Sequence, residues 1–286
     1  MHRRLSLVLA ACLVVALSGC QPENGPGGPS PKPSPTAKPR PGFPASMAAL
    51  GDSITAGVGA CFALLPCPRV SWATGDRGGV NSHYLRILAA NPAIKGNQQN
   101  FAEAGSVAAD LPAQARLAVQ AKVAYVPVLI GANDACTRRI DEMTSAADFR
   151  RSVDAALLIL KAGLPGARIL LVSIPDVYRV WQVAHTNSNA RLVWGLGICQ
   201  ALLANPTSTA AADVQRRQQF RDRVDQYDAQ LAAACRAYGS RCRYDGGAAH
   251  RFVFGLGDLS DLDFFHPNLS GQNQLAAATY PGTFTW

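Results

Sequence analysis

The sequence predicts an α/β protein with a parallel sheet covered by helices on both faces. Three observations carry that prediction. Two apolar runs, VAYVPVLI (residues 123–130) and RILLVSI (residues 168–174), lack the polar alternation of a half-exposed strand and read as strands buried on both sides. Segments with apolar residues at helical spacing precede and follow them, which is the order of a parallel sheet with crossover helices. The stretch 47–286 is long enough for one domain around one core.

The elements follow in order. Residues 47–51 (MAALG) form a short buried strand, and 80–90 (VNSHYLRILAA) repeat apolar residues at helical spacing. A weak strand over 99–102 leads to a helix over 108–122 and then to the run 123–130. Inside that run Pro127 removes a ladder donor, which predicts a bulge or an edge position. A helix over 149–162 is closed by Gly163 and Pro165 before the strand 168–174. Residues 176–206 read as a long irregular insertion. A charged amphipathic helix over 213–238, a short strand over 241–244 and a last helix over 271–278 complete the chain.

The first 46 residues are of another kind. Residues 1–19 carry basic His2, Arg3 and Arg4, then an apolar core over 5–17, then small residues. That is a secretory signal, too short to span a bilayer. It ends in Leu17-Ser18-Gly19-Cys20, which resembles the lipobox of bacterial lipoproteins. The resemblance implies cleavage before Cys20 and a diacylglycerol on its sulfur, anchoring the protein at the outer face of the cytoplasmic membrane. The alternative is a soluble secreted protein cleaved nearby. Residues 20–46 then comprise the lipidated cysteine and a Pro/Gly/Ser-rich linker that reaches roughly 80 Å when extended at about 3.1 Å per residue.

Charge and cysteine content narrow the class further. The formal charge is +8, but the leader and linker supply part of it, and 47–286 hold 22 basic against 18 acidic residues. The charges are scattered, with no basic stripe and no nucleic-acid motif, so nucleic acid is not an expected partner. Cys12 leaves with the signal and Cys20 would be acylated. The remaining six, Cys61, Cys67, Cys136, Cys199, Cys235 and Cys242, predict disulfides in an exported domain. Six cysteines allow fifteen connectivities. Proximity in sequence favours Cys61–Cys67 and Cys235–Cys242, which leaves Cys136–Cys199 by elimination, a bridge worth about 4 kcal/mol in the chain-entropy model. No CxxC pair is present, so a metal site is not expected.

In a sheet of this kind, ligands bind at the carboxyl ends of the strands. There the sequence places Gly51-Asp52-Ser53, Ala104-Gly105-Ser106 and Gly131-Ala132-Asn133-Asp134, with Asp263-Phe264-Phe265-His266-Pro267 near the end of the chain. A serine hydroxyl needs a base, for which His266 is the candidate, and Asp263 can fix its tautomer. The backbone N–H groups of Ser53 and Gly105 and the side-chain amide of Asn133 are candidate oxyanion donors. Each piece alone reads as a turn, a strand end, a helix cap or a surface pair. All four together, in order and at strand ends or loops, read as a catalytic set.

Those four blocks resemble the SGNH (GDSL-type) hydrolases, most closely their exported, disulfide-bearing actinobacterial members. The resemblance covers 47–286. It implies a three-layer α/β/α, flavodoxin-like fold, with Ser53 as nucleophile, His266 as base, Asp263 as orienter, and Ser53, Gly105 and Asn133 as oxyanion donors. It implies no cofactor and an ester substrate: an acyl lipid, a short-chain ester or an O-acetylated glycan. The first block reads Gly-Asp-Ser-Ile rather than Gly-Asp-Ser-Leu, an apolar exchange. Thr55 stands where the G-x-S-x-G elbow of another hydrolase class needs glycine. The competing reading is a tethered, non-catalytic binding lipoprotein that keeps the fold, and either protein is expected as a monomer. His83 reads as packing or surface, and His185 and His250 have no evident partner. Trp72 and, within the insertion, Trp181 and Trp194 read as core packing or as substrate walls, with Leu196 a further candidate lining.

Overall fold

All five residues of β1 (Met47–Gly51) are buried, as an apolar run without alternation requires. In a computed structural model describing residues 40–286, β1 joins β2 (Gln98–Asn100), β3 (Tyr125–Leu129), β4 (Arg168–Leu171) and β5 (Cys242–Tyr244) in one sheet. The order is β2-β1-β3-β4-β5 and every pair is parallel. The chain therefore steps outward from β1 to β2, then returns past β1 to β3 and continues the other way. That reversal makes the carboxyl ends of β1 and β3 the topological switch point, where such sheets bind ligands. The leader, Cys20 and residues 21–39 lie outside the described residues.

Eleven α-helices connect and cover the strands among the described residues: α1 (Ser53–Ala56), α2 (His83–Ala90), α3 (Leu111–Gln120), α4 (Ala132–Ala135), α5 (Ala146–Gly163), α6 (Val177–Ala184), α7 (Ser188–Trp194), α8 (Gln200–Leu203), α9 (Ala211–Tyr238), α10 (Ala248–Arg251) and α11 (Leu269–Thr279). On one face α3, α5 and α9 pack side by side. On the other, α2 and α11 meet through a hydrogen bond between His83 and Thr279. The helix expected over 80–90 starts at His83 because Ser82 caps it, its Oγ accepting from Leu85 N at 3.1 Å. None of these helices is long and apolar enough to cross a membrane.

Two expectations need correction. Pro127 sits in the central strand, buried and without a bulge, paired in continuous register with Leu170. The carbonyls of Ala124 and Val128 accept from β4, so the neighbouring Pro127 faces β1. There the register resumes unchanged on either side, while the two pairs that would use its N–H, Ala48 with Val126 and Ala49 with Pro127, are missing. The proline removes one rung and leaves the strand in place. The insertion read as irregular holds α6, α7 and α8. Short polar breaks such as Thr186-Asn187 hid them, although Asn187 caps α7 by accepting from Ala190 N at 3.0 Å.

The cysteines pair as Cys61–Cys67, Cys136–Cys199 and Cys235–Cys242. The last residues of the expected linker pack on the domain: Arg40 N donates to Asn91 Oδ1, Asn91 Nδ2 donates to Pro44 O, and the Phe43 ring lies 5.8 Å from that of Phe284. The described residues 40–286 lie in one compact unit around one buried core, so a chain of residues 37–286 carries what it needs to fold.

His83 is fully buried, its ring nitrogens 3.0 Å from Tyr125 Oη and from Thr279 Oγ1, and burial pushes its pKa down to about 3. An imidazole in the unfolded chain takes its proton near about 6.5. Between those values the unfolded state binds the extra proton, so this group costs stability as pH falls. Asp52, pushed up to about 7 by burial, acts in the opposite direction, so a comparison of variants isolates the histidine. Between pH 7 and pH 4, the unfolding free energy of His83→Gln should gain roughly 2–3 kcal/mol relative to wild type. Denaturant titrations at several pH values check this, and parallel profiles would exclude His83 as the titrating group.

Candidate active site

The site begins where β1 ends. Gly51 has φ +144°, and a Cβ there would lie 2.0 Å from the carbonyl oxygen of Leu129 in β3, so only glycine fits. Asp52 caps α1, its Oδ1 accepting from Ile54 N at 3.0 Å. Its other oxygen is buried without a partner, and burial holds the acid near pKa 7. Ser53 follows as the first residue of α1, where a backbone N–H has no intrahelical acceptor. Its side chain faces His266.

His266 reaches Ser53 from a tightly folded loop. Leu259 and Pro267 form an antiparallel bridge, and Ser260 N donates to His266 O at 2.8 Å. Phe264 turns the loop in the left-handed region at φ +52° while its side chain is buried. Asp263, also buried, accepts through Oδ1 from the N–H groups of Phe265 (2.9 Å) and His266 (3.0 Å). Its Oδ2 lies 2.5 Å from His266 Nδ1. His266 Nε2 lies 2.8 Å from Ser53 Oγ. A carboxylate on Nδ1 keeps the proton there, leaving Nε2 to accept from the serine hydroxyl.

Asn133 stands on α4, directly after β3. One N–H of its amide donates to Ser106 O at 2.9 Å, which leaves the second for a ligand. The next residue, Asp134, is buried and accepts from Ala108 N at 2.9 Å, and burial raises its pKa. Ser53, Asn133 and His266 line one pocket. Gly105 does not line it. It lies exposed at φ +84° in the turn after β2, tied to the site through the carbonyl of its neighbour Ser106.

A family model described as GDSL-like lipase/acylhydrolase matches residues 49–274. The chain belongs to that family. Hydrolysis of esters is therefore its class of activity. No curated protein matches it by sequence. Among solved structures it is similar to a Parabacteroides merdae protein assigned as a GDSL-like lipase, at 14% identity and a TM-score of 0.56, over 87% of this chain and 98% of that one. It is also similar to a mutant of a Geobacillus acetyl-xylooligosaccharide esterase, at 17% identity and a TM-score of 0.50, over 82% of this chain and 91% of that one. At these identities the likeness is one of fold.

In this GDSL-family protein the pocket beside Ser53 is walled by Val177, Val180, Phe252, Phe254 and Leu275. The tryptophans do not contribute. Trp72 and Trp194 are buried, and Trp72 Nε1 donates to Thr55 Oγ1. Trp181 donates to Pro206 O at 2.7 Å beneath the Arg217 guanidinium, 4.6 Å from its ring centre. Leu196 is exposed. His185 caps its own helix by bonding Trp181 O. His250 has the partner the sequence did not reveal: its Nδ1 lies 3.1 Å from Asp228 Oδ2, and that hydrogen bond pushes its pKa up to about 9. Asp228 is itself raised by burial, against which His250 pulls it down. Among the described residues no group of three or more His, Cys, Asp or Glu side chains is placed to hold a metal ion.

Two glutamines support the site and were not anticipated. Gln114 Oε1 accepts from Gly51 N at 2.7 Å, and its Nε2 donates to Gly51 O and to Ser106 Oγ. Gln272 Nε2 donates to Ile54 O while its Oε1 accepts from Trp72 N. Both stand among the buried residues of their helices, Gln114 with Leu111, Ala115 and Ala118, and Gln272 with Leu275, Ala276 and Thr279. A glutamine inside an apolar stripe was the available signal. Gln114→Leu leaves the Gly51 N–H unpaired, while the Gly51 carbonyl still accepts from Glu103 N, and should cost about 1–3 kcal/mol of stability, readable by denaturant unfolding. An unchanged midpoint would show that the Gly51 turn does not depend on it.

Proposed function

We propose that the protein is an extracytoplasmic serine esterase that cleaves carboxylic esters through an acyl-enzyme on Ser53. The observation that carries this reading is the unbroken line from Asp263 Oδ2 to His266 Nδ1 and from Nε2 to Ser53 Oγ, at 2.5 and 2.8 Å. Ser53 Oγ attacks the ester carbonyl carbon as its proton passes to His266 Nε2. The carbonyl oxygen, now negative, is met by the Ser53 N–H and the second N–H of the Asn133 amide, both from residues that line the pocket. Collapse expels the alcohol, which takes the proton from His266, and leaves the acyl group on Ser53. Water then repeats the sequence and frees the acid.

The apolar wall of Val177, Val180, Phe252 and Phe254 supports an acyl chain of several carbons over a bare acetyl group as the bound acid part. An acyl lipid or a short-chain ester fits that wall better than an O-acetylated glycan. The leader, with Cys20 as the lipidated residue, supports export and tethering at the outer face of the cytoplasmic membrane, with the protein acting as a monomer and without a cofactor.

The test is hydrolysis of p-nitrophenyl acetate, butyrate and octanoate by residues 37–286. Wild type should turn over butyrate and octanoate better than acetate, and Ser53→Ala should fall to background. Retained turnover in that variant would remove Ser53 as nucleophile. Asn133→Ala should lower kcat by about 10²–10³-fold, the usual cost of one oxyanion donor. Phe254→Ala should move the preference towards longer chains. His266→Ala should likewise fall to background, since the serine then has no base. Turnover retained in that variant excludes a histidine base.

A further inference from the structure

Beside the catalytic histidine the surface carries an apolar projection that catalysis does not use. Residues 62–66 read FALLP, all five exposed, and the Cys61–Cys67 disulfide clasps them at the base. Phe62 is 99% exposed, Leu65 66% and Leu64 46%. Leu262 and Leu269, also exposed, share a shallow surface with Phe62, Gly59 and Ser260. That surface adjoins the site: a Cβ on Gly59 would lie 2.9 Å from His266 Cβ, and Leu262 directly precedes Asp263. A monomer that holds large apolar side chains in water at one place marks a contact surface.

We propose that this projection inserts into the surface of a zwitterionic lipid layer and seats the mouth of the Ser53 pocket against lipid-borne esters. Two features favour lipid over protein. The five residues offer no side-chain donor or acceptor, and Pro66 also lacks an N–H, so nothing there reads a hydrogen-bonding partner. A five-residue tip supplies a fraction of the roughly 800 Å² per partner that a stable protein interface buries. The charges nearby balance: Arg69 is paired with Asp76 at 3.0 Å, Arg77 N donates to Arg69 O, and Asp261 lines the same shallow surface as Phe62. Attraction to an anionic surface is therefore not the driving term, and apolar insertion is. The catalytic consequence rests on the esterase reading above, whereas the binding surface does not.

The experiment uses residues 37–286 and phosphatidylcholine vesicles, with co-sedimentation at low and high salt. Wild type should bind equally at both. The triple variant Phe62→Ser/Leu64→Ser/Leu65→Ser should bind at least tenfold more weakly. Leu158→Ser/Leu192→Ser, which removes exposed leucines from α5 and α7, should bind as wild type does. The triple variant should hydrolyse soluble p-nitrophenyl butyrate at the wild-type rate but lose at least tenfold on acyl esters held in the vesicles. The proposal is overturned if wild type stays in the supernatant, if it binds only at low salt, or if the triple variant binds undiminished. It is also overturned if wild type is a dimer that the triple substitution dissociates, since the occupant is then a second copy. If binding depends on the tip while neither ester is hydrolysed, the lipid surface stands and the esterase reading fails.

Discussion

The close approach of β1 to β3 at Gly51 is the constraint on which the site depends. The space a side chain would fill at Gly51 is taken by the Leu129 carbonyl, so the two strands end together and their following turns diverge from one point. Ser53 starts one short helix there and Asn133 lies in another. Gln114 holds the Gly51 peptide by both its N–H and its C=O and touches Ser106, so the second strand end is tied to the first. Any residue larger than glycine would push β1 off β3 and separate the serine from the amide across from it.

Three buried aspartates lie in or beside this junction, and their surroundings divide their roles. Asp263 accepts from two backbone N–H groups and from the His266 ring, so both its oxygens are used. Asp52 and Asp134 each leave one oxygen buried without a partner, and burial raises the pKa of both. A carboxylate with a complete set of donors holds the His266 ring in one orientation. The other two act as caps, fixing the backbone of Ile54 and Ala108 through the oxygen that is satisfied. Residues that look alike in the sequence differ here by the number of N–H groups aimed at them.

What was legible in the sequence follows from what is local. The end of β1 was visible because an apolar run stops at Gly-Asp-Ser, and β3 and β4 because unbroken apolar runs of that length have few other uses. Ser53, Asp263 and His266 were visible in short blocks, the first at a strand end and the other two in a loop near the end of the chain. Pro127 was misjudged because the loss of a donor is a local fact, while the neighbour that loses it depends on which way the residue faces. The helices α6 to α8 are short and separated by polar residues, so no window long enough to show a period falls within one of them. The apolar wall could not be read at all, because Val177, Val180, Phe252 and Phe254 come from two distant segments that only the fold brings together. His250 was missed for the same reason: Asp228 lies on a different helix.

Ser53 and His266 are 213 residues apart, and the hydrogen bond between them joins nearly the first and nearly the last elements of the domain. Bonds from Trp72 to Gln272 and from His83 to Thr279 span almost as far. The order of synthesis is therefore also the order in which the site is assembled. A growing chain holds Ser53, Asn133 and its whole sheet before it holds His266, so the hydrogen bond between serine and histidine forms only when the final loop and α11 close over the amino-terminal half. The same holds in reverse for proteolysis: a cut after α9 leaves Ser53 in place and removes the histidine that is hydrogen-bonded to it.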